Sequence, residues 1–285
     1  MRDKDKNRAS EQLEAIVRDN PTKYPQAWYY LGSIAYEEKK FDKAAEYFNK
    51  AIVISPDFEA AYYDLAGMQI NSGQANLALV TLEKARAKFP QSFVAEFFTG
   101  LAYNKLKNYA EAIRHLTGAE VIARATDPKK LNQSFYFQLG ATYERNHDFA
   151  EAEKYFQLCL DLEPDFAEAL NYLGYMWAER GEQLEKALEL IERAVKLEPK
   201  NAAYLDSLGW VFFKMNQPSD ALGYIRKAIE IDEEKDASLY DHLGEIYRAL
   251  KQTAKAREAW QKSLQLESND DVKKKLESIS PAQRQ

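Results

Sequence analysis

Residues 27–56 read AWYYLGSIAYEEKKFDKAAEYFNKAIVISP, and the spacing inside this stretch is copied along most of the chain. Trp28, Leu31, Gly32, Ala44, Phe48, Ala51 and Pro56 have counterparts about every 34 residues, an interval that marks stacked helical repeats. Trp28, Leu31 and Ala35 keep a helical period, Phe41 and Asp42 interrupt it, and Ala44, Ala45, Phe48, Ala51 and Ile52 resume it. The pattern predicts two amphipathic helices joined by a tight turn.

Outward from that unit, repeats are expected at 25–58, 59–92, 93–126, 133–166, 167–201, 202–235 and 237–270. The third has Arg124 in place of the closing proline, so its second helix is expected to run long. Residues 127–132 exceed the period, and Pro128 cannot continue a helix without losing a hydrogen bond, which makes this segment a loop. The fifth repeat carries one extra residue near Gly181, Glu182 and Gln183. Residues 1–24 hold a half-repeat, with Ala9, Leu13, Ile16 and Val17 on one face of a helix over 8–20 and Pro21 as its stop. Residues 271–285 form a capping helix and tail, with Val272, Leu276 and Ile279 as a narrow stripe among charges. A half-repeat at the start suggests a shortened chain or an unusual cap, and an upstream signal or anchor would then be missing from view.

The pattern closely resembles the tetratricopeptide repeat, whose signature of Trp, Leu, Gly, Ala, Phe, Ala and Pro is matched nearly position for position. The resemblance implies an all-α fold, a right-handed α-solenoid of seven helix-turn-helix repeats with a concave surface lined by the first helix of each. Gly32, Gly100, Gly140, Gly174, Gly209 and Gly244 are expected to let paired helices approach closely, with large side chains filling the remaining space.

Composition agrees with a repeat array of the soluble type. The chain has 285 residues, 46% hydrophobic and 29% charged, and a net charge of −6. A nucleic-acid partner is disfavoured, because neutralising phosphates takes clustered Lys and Arg. No apolar run approaches the roughly 20 residues of a membrane helix, so direct membrane insertion is not expected. A lone cysteine, Cys159, can form no intrachain disulfide and leaves the compartment open, cytoplasmic or periplasmic.

No catalytic or metal-binding arrangement is legible. His115, His147 and His242 lie in different repeats without ligand-spaced partners, and are expected to be exposed or capping. Cys159 occupies a slot filled elsewhere by Ala51, Ala85 and Ala119, where a thiol packs as a small hydrophobe. Glycine-rich phosphate loops and nucleophile elbows are absent from the sequence, and the Asp and Glu residues follow the exposed positions of amphipathic helices. The expectation is a protein that is not an enzyme and needs no cofactor or metal.

The resemblance directs the fifth residue of each repeat into the concave groove. That column reads Tyr29, Tyr63, Phe97, Phe137, then Asn171, Asp206 and Asp241. One helical turn on, the aromatic residue returns as Tyr175 and Trp210 where the fifth residue has turned polar. These six rings are expected to form a stripe that steps by roughly 6 Å along the helix, accessible beside Ser33, Gly67 and Ala141, and to anchor a peptide segment or helix of a partner. The polar residues Asn171, Asp206, Asp241 and Glu245 continue the groove, where they either meet a basic end of the ligand or are solvated, and solvation is the expectation. A Lys, Asn and Arg carboxylate clamp is not matched, since its places hold Tyr29, Ser33, Tyr63, Asp64, Val94, Phe97 and Phe98.

The function expected is a non-catalytic scaffold or adaptor. The stretches LNYLGYMWAERG (residues 170–181) and AAYLDSLGW (residues 202–210) resemble repeats of bacterial cell-envelope proteins of this family that serve as adaptors for proteases or assembly machines. Two alternatives stay open: a regulatory or targeting region of a larger enzyme or assembly system, and a structural protein that self-associates through its N-terminal end.

Overall fold

The computed structural model describes residues 2–233 and 235–279; the tail expected over 280–285 lies outside them. The described residues are all-α, with sixteen α-helices and one short 3-10 helix. Contacts divide the chain into two compact units, Met1–Leu131 with Arg145–Asp148, and Asn132–Glu144 with Phe149–Gln285.

In the first unit α1 (Arg2–Asp19) is followed by three hairpins. They are α2 (Pro25–Glu37) with α3 (Phe41–Ile54), α4 (Glu59–Asn71) with α5 (Ala75–Lys88), and α6 (Phe93–Lys105) with α7 (Tyr109–Thr126). The second unit pairs α8 (Gln133–Arg145) with α9 (Phe149–Leu162), α10 (Ala167–Arg180) with α11 (Leu184–Leu197), α12 (Ala202–Lys214) with α13 (Pro218–Asp232), and α14 (Ala237–Ala249) with α15 (Thr253–Leu266). It ends on α16 (Asp270–Ser278).

Each hairpin is built on one small-against-large contact. A Cβ added at Gly32 would lie 2.8 Å from the Phe48 ring, and one at Gly100 would lie 2.6 Å from Leu116. Gly244 meets the Trp260 indole in the same way. The large partner is sealed: Phe48, Leu82, Leu116, Phe156, Ile191, Ile225 and Trp260 are each at most 1% exposed. Burying a side chain of this size contributes about 1.5–3 kcal/mol, so each hairpin carries its own small core and adds to its neighbours' stability.

The turn inside each hairpin needs one left-handed residue. Gly73 and Gly181 supply it at φ +79° and +69°, while Lys39, Lys107, His147, Asn216 and Lys251 take the same place at about +60°. His147 is therefore a turn residue.

Three segments differ from the sequence pattern or refine it. α1 begins at Arg2, six residues before the expected start, and Lys6 pairs with Glu37 of α2; this contact between distant residues holds a turn that has no apolar period of its own. α7 runs the full 18 residues to Thr126, as the missing proline suggests. Within the loop that follows, Pro128–Lys130 closes into a 3-10 turn, with Pro128 at the first position, where the missing N–H costs nothing.

Candidate functional site

The candidate site is the face made by the fifth and neighbouring residues of the first helices, and the two units present it in different chemistry. In the first unit Tyr29 is half-buried, its ring 4.9 Å from Phe58 and 5.8 Å from Phe48. Its hydroxyl donates to Asp64 Oδ2 at 2.5 Å. Burial, followed by the Asp64 carboxylate, pushes the Tyr29 phenol up to about 12.

Tyr63 is 7% exposed and its hydroxyl lies 2.6 Å from both Glu59 Oε1 and Ser92 Oγ. Burial, then the Glu59 hydrogen bond, raises its phenol well above the ordinary range. Phe97 is half-buried and stacks on Phe93 at 5.8 Å with the planes 6° apart. Tyr63 and Phe93 also line a cleft of about 600 Å³ with Phe89, Val94 and Lys130, the Lys130 ammonium lying 5.5 Å from the Phe93 ring centre.

In the second unit Phe137 is half-buried among Phe156, Phe166 and Tyr172, meeting the Tyr172 ring edge-on at 5.2 Å. Trp210 is 7% exposed. Its indole N–H donates to Glu179 Oε2 at 2.5 Å, and its ring stacks on His242 at 4.1 Å and on Phe213 at 4.9 Å. Tyr175 is half-buried beside His242; burial first, then the carboxylates of Glu179 and Asp206, raise its phenol. Accessibility of the rings is thus uneven: Tyr63 and Trp210 pack inside, whereas Tyr29, Phe97, Phe137 and Tyr175 keep part of their surface open.

The polar residues of the column are not solvated as expected. Asp206 is 8% exposed and accepts from His242 Nδ1 at 2.8 Å. Burial alone would favour neutral His242, but the Asp206 charge and hydrogen bond outweigh it and raise the imidazole pKa. Asp241 accepts from Trp260 Nε1 at 3.0 Å and from Lys275 Nζ at 2.8 Å. Glu245, 7% exposed, pairs with Arg248 and with Lys275 at 3.2 Å. Burial opposes the charge on Lys275, and Asp241 with Glu245 more than offsets it, so its pKa is raised. These carboxylates are neutralised inside the fold because leaving a charge buried without a partner is costly.

Asn171 is the exception in that column. It is 8% exposed, and its side-chain Oδ1 has no hydrogen-bond partner. Such a buried acceptor costs about 1–3 kcal/mol unless something donates to it.

His115 and His242 are a correction, whereas His147 is exposed in its turn as expected. His115 is 1% exposed, with Nδ1 2.5 Å from Glu96 Oε2 and its ring stacked on Tyr103. Burial would raise the Glu96 pKa, yet His115 and Arg86 hold it below the usual value. His242 is likewise a packed, ion-paired residue rather than an exposed one. Cys159 is fully buried, and burial pushes its thiol up to about 12, which removes the thiolate that reactivity needs. Among the described residues no three His, Cys, Asp or Glu side chains gather where they could hold a metal ion, and no helix is long and apolar enough to cross a membrane.

Sequence reasoning missed how the repeats meet. The fifth residue of one repeat touches the sixth of the next: Tyr29 on Asp64, Phe137 on Tyr172, Asp206 on His242. Reading the two columns side by side would have paired Asp206 with His242.

Tandem helical hairpins with a ring-bearing, hydrogen-bonding first-helix face define a class of repeat proteins that contact other proteins. Models of the tetratricopeptide repeat match residues 25–58, 137–202 with 181–236, and 237–270. The chain belongs to the tetratricopeptide repeat family, whose members generally mediate protein–protein interaction.

Among similar proteins is the photosystem I assembly protein Ycf3 of Acaryochloris marina, 33% identical over 33% of this chain and 55% of its own. The chain spans between 16% and 55% of the length of the curated relatives it matches. Among solved structures, a tetratricopeptide repeat protein from Parabacteroides merdae superposes with a TM-score of 0.71 at 17% identity, over 90% of this chain and 98% of that one. YrrB, described as a repeat protein with an unusual peptide-binding site, gives 0.55 at 23% identity over 73% of this chain and 99% of its own. At these identities the structural likeness speaks to the fold.

Proposed function

We propose that the chain is a non-catalytic scaffold that binds a peptide segment or helix of a partner protein on its first-helix face. The half-open rings of Tyr29 and Phe97 in the first unit, and of Phe137 and Tyr175 in the second, act as apolar anchors. The observation that carries this reading is that the rings of Tyr29, Phe97, Phe137 and Tyr175 keep part of their surface open, on a face where Asp206, Asp241 and Glu245 are already paired within the chain. Relatives described as an assembly protein and as a peptide-binding repeat protein support it.

The narrower reading is an adaptor of the bacterial cell envelope, and it rests on the repeats over 170–181 and 202–210. The repeat division at 25–58, 59–92, 93–126, 133–166, 167–201, 202–235 and 237–270 is the frame within which the anchors are placed.

Peptides selected from a random displayed library against the immobilised chain test the proposal. Calorimetry of the enriched peptides is expected to show affinity falling about tenfold in Phe97→Ala or Tyr175→Ala, with circular dichroism unchanged. Failure to enrich any peptide, or equal affinity for both variants and the wild type, would overturn it.

A further inference from the structure

Residues 127–132, which exceed the repeat period, supply a wall to the cleft of about 600 Å³ in the first unit. Pro128–Lys130 closes as a 3-10 turn, held by Lys130 N–H donating to Asp127 O and Leu131 N–H donating to Pro128 O, both at 3.1 Å. The Leu131 side chain is buried beside it. The turn thereby keeps Lys130 half-buried in the lining of the cleft, its ammonium 5.5 Å from the Phe93 ring centre.

Phe89, Phe93, Val94 and Ile122 give the cleft apolar walls, and two of its lining side chains, Glu59 and Lys130, are charged. Glu59 is occupied: its Oε1 accepts from the Tyr63 hydroxyl at 2.6 Å and from the Ser92 hydroxyl at 3.4 Å. Lys130 enters no ion pair or side-chain hydrogen bond among the described residues. Drawing an ammonium partly out of water without an anionic partner costs free energy, which a carboxylate in the cleft would offset. The cleft also adjoins the first-helix face. Tyr63 is the second residue of the ring column, and Phe93 stacks on its third, Phe97, at 5.8 Å.

We propose, on the premise that the first-helix face binds a peptide segment, that this segment carries an acidic residue next to an apolar one, the apolar side chain entering the cleft and the carboxylate pairing with Lys130. An acid is favoured over a base by the charges already placed. A cationic side chain would have to displace two hydroxyls from Glu59, and Lys130 would repel it. A carboxylate meets an ammonium already held against a ring by a fixed turn, so little freedom is lost on pairing. Lys130 lies outside the repeats at 93–126 and 133–166, so this is not the Lys, Asn and Arg clamp of the repeat positions.

The test is selection from the random displayed library on the immobilised whole chain, run in parallel on Lys130→Glu. Peptides enriched on the parent are expected to carry Asp or Glu beside an apolar residue, and those enriched on Lys130→Glu to lose that acid. Calorimetry of the most enriched acidic peptide is expected to show affinity about fivefold weaker for Lys130→Met. Replacing the peptide's carboxylate by its amide, which leaves the chain untouched, is expected to weaken binding equally, with no further loss when both changes are combined. Lys129→Met, the same loss of charge at the exposed neighbour, is expected to keep the parental affinity. Peptides that enrich without an acidic residue, or equal affinities for Lys129→Met and Lys130→Met, overturn this proposal and leave peptide binding by the face standing. Failure to enrich any peptide overturns both.

Discussion

Tyr29 with Asp64 in the first unit and Asp206 with His242 in the second are the same junction made in two chemistries. Each joins the fifth residue of one repeat to the sixth of the next. Tyr29 and Asp64 meet through a neutral hydroxyl at a solvent-exposed bond; Asp206 and His242 meet as an ion pair roofed by the Trp210 indole. The backbone geometry of the repeat fixes where two side chains touch and leaves their chemistry free. The energetic stakes differ accordingly, since an exposed hydrogen bond exchanges readily with water and a buried ion pair does not.

The largest expected effect is from Asp206→Ala, which strands His242 beneath Trp210. Urea unfolding followed by tryptophan fluorescence at about pH 6 is expected to show a loss of about 3 kcal/mol. A loss no larger than that of Tyr29→Phe would erase the contrast between the junctions.

The pH dependence is next. Because the folded pKa of His242 is raised above its ordinary value, its contribution is fully present below about 6.5 and disappears as pH rises through the folded pKa. The groups facing it are Asp206, Asp241 and Glu179, all carboxylates. Stability is expected to decline as pH rises above about 6.5 and through the raised folded pKa, and His242→Gln is expected to flatten that decline. An unaltered slope in His242→Gln would assign the titration to another group.

Tyr29→Phe is the smallest effect. It removes one exposed hydrogen bond and leaves the ring on Phe58, so a loss of about 0.5 kcal/mol is expected. A loss of 2 kcal/mol or more, by about the same measure, would show that the first-unit junction is as demanding as the second.

The repeat signature alone exposed the hairpins, because Gly32 against Phe48 and its counterparts are a spacing that the chain states seven times. The face was only half legible. That Tyr29 and Phe97 face it is what the family resemblance implies for the fifth residue of a repeat, but the burial of Tyr63 and Trp210 depends on partners 29 and 31 residues away. Lys275 lies one full repeat from Asp241, so a pattern read one column at a time treats the two charges as solvated. His115 meets Glu96 across its own hairpin for a similar reason. Nothing in the residue order marks Asn171 as the acceptor left without a donor.

Phe97→Ala tests the central claim most directly, measured twice on the same sample: urea unfolding for stability and calorimetry with a library-selected peptide for binding. If the half-open ring is an anchor, affinity should fall about tenfold while the stability loss stays below about 2 kcal/mol. A stability loss above about 2 kcal/mol with affinity unchanged would contradict the account and make Phe97 a residue of the packing alone.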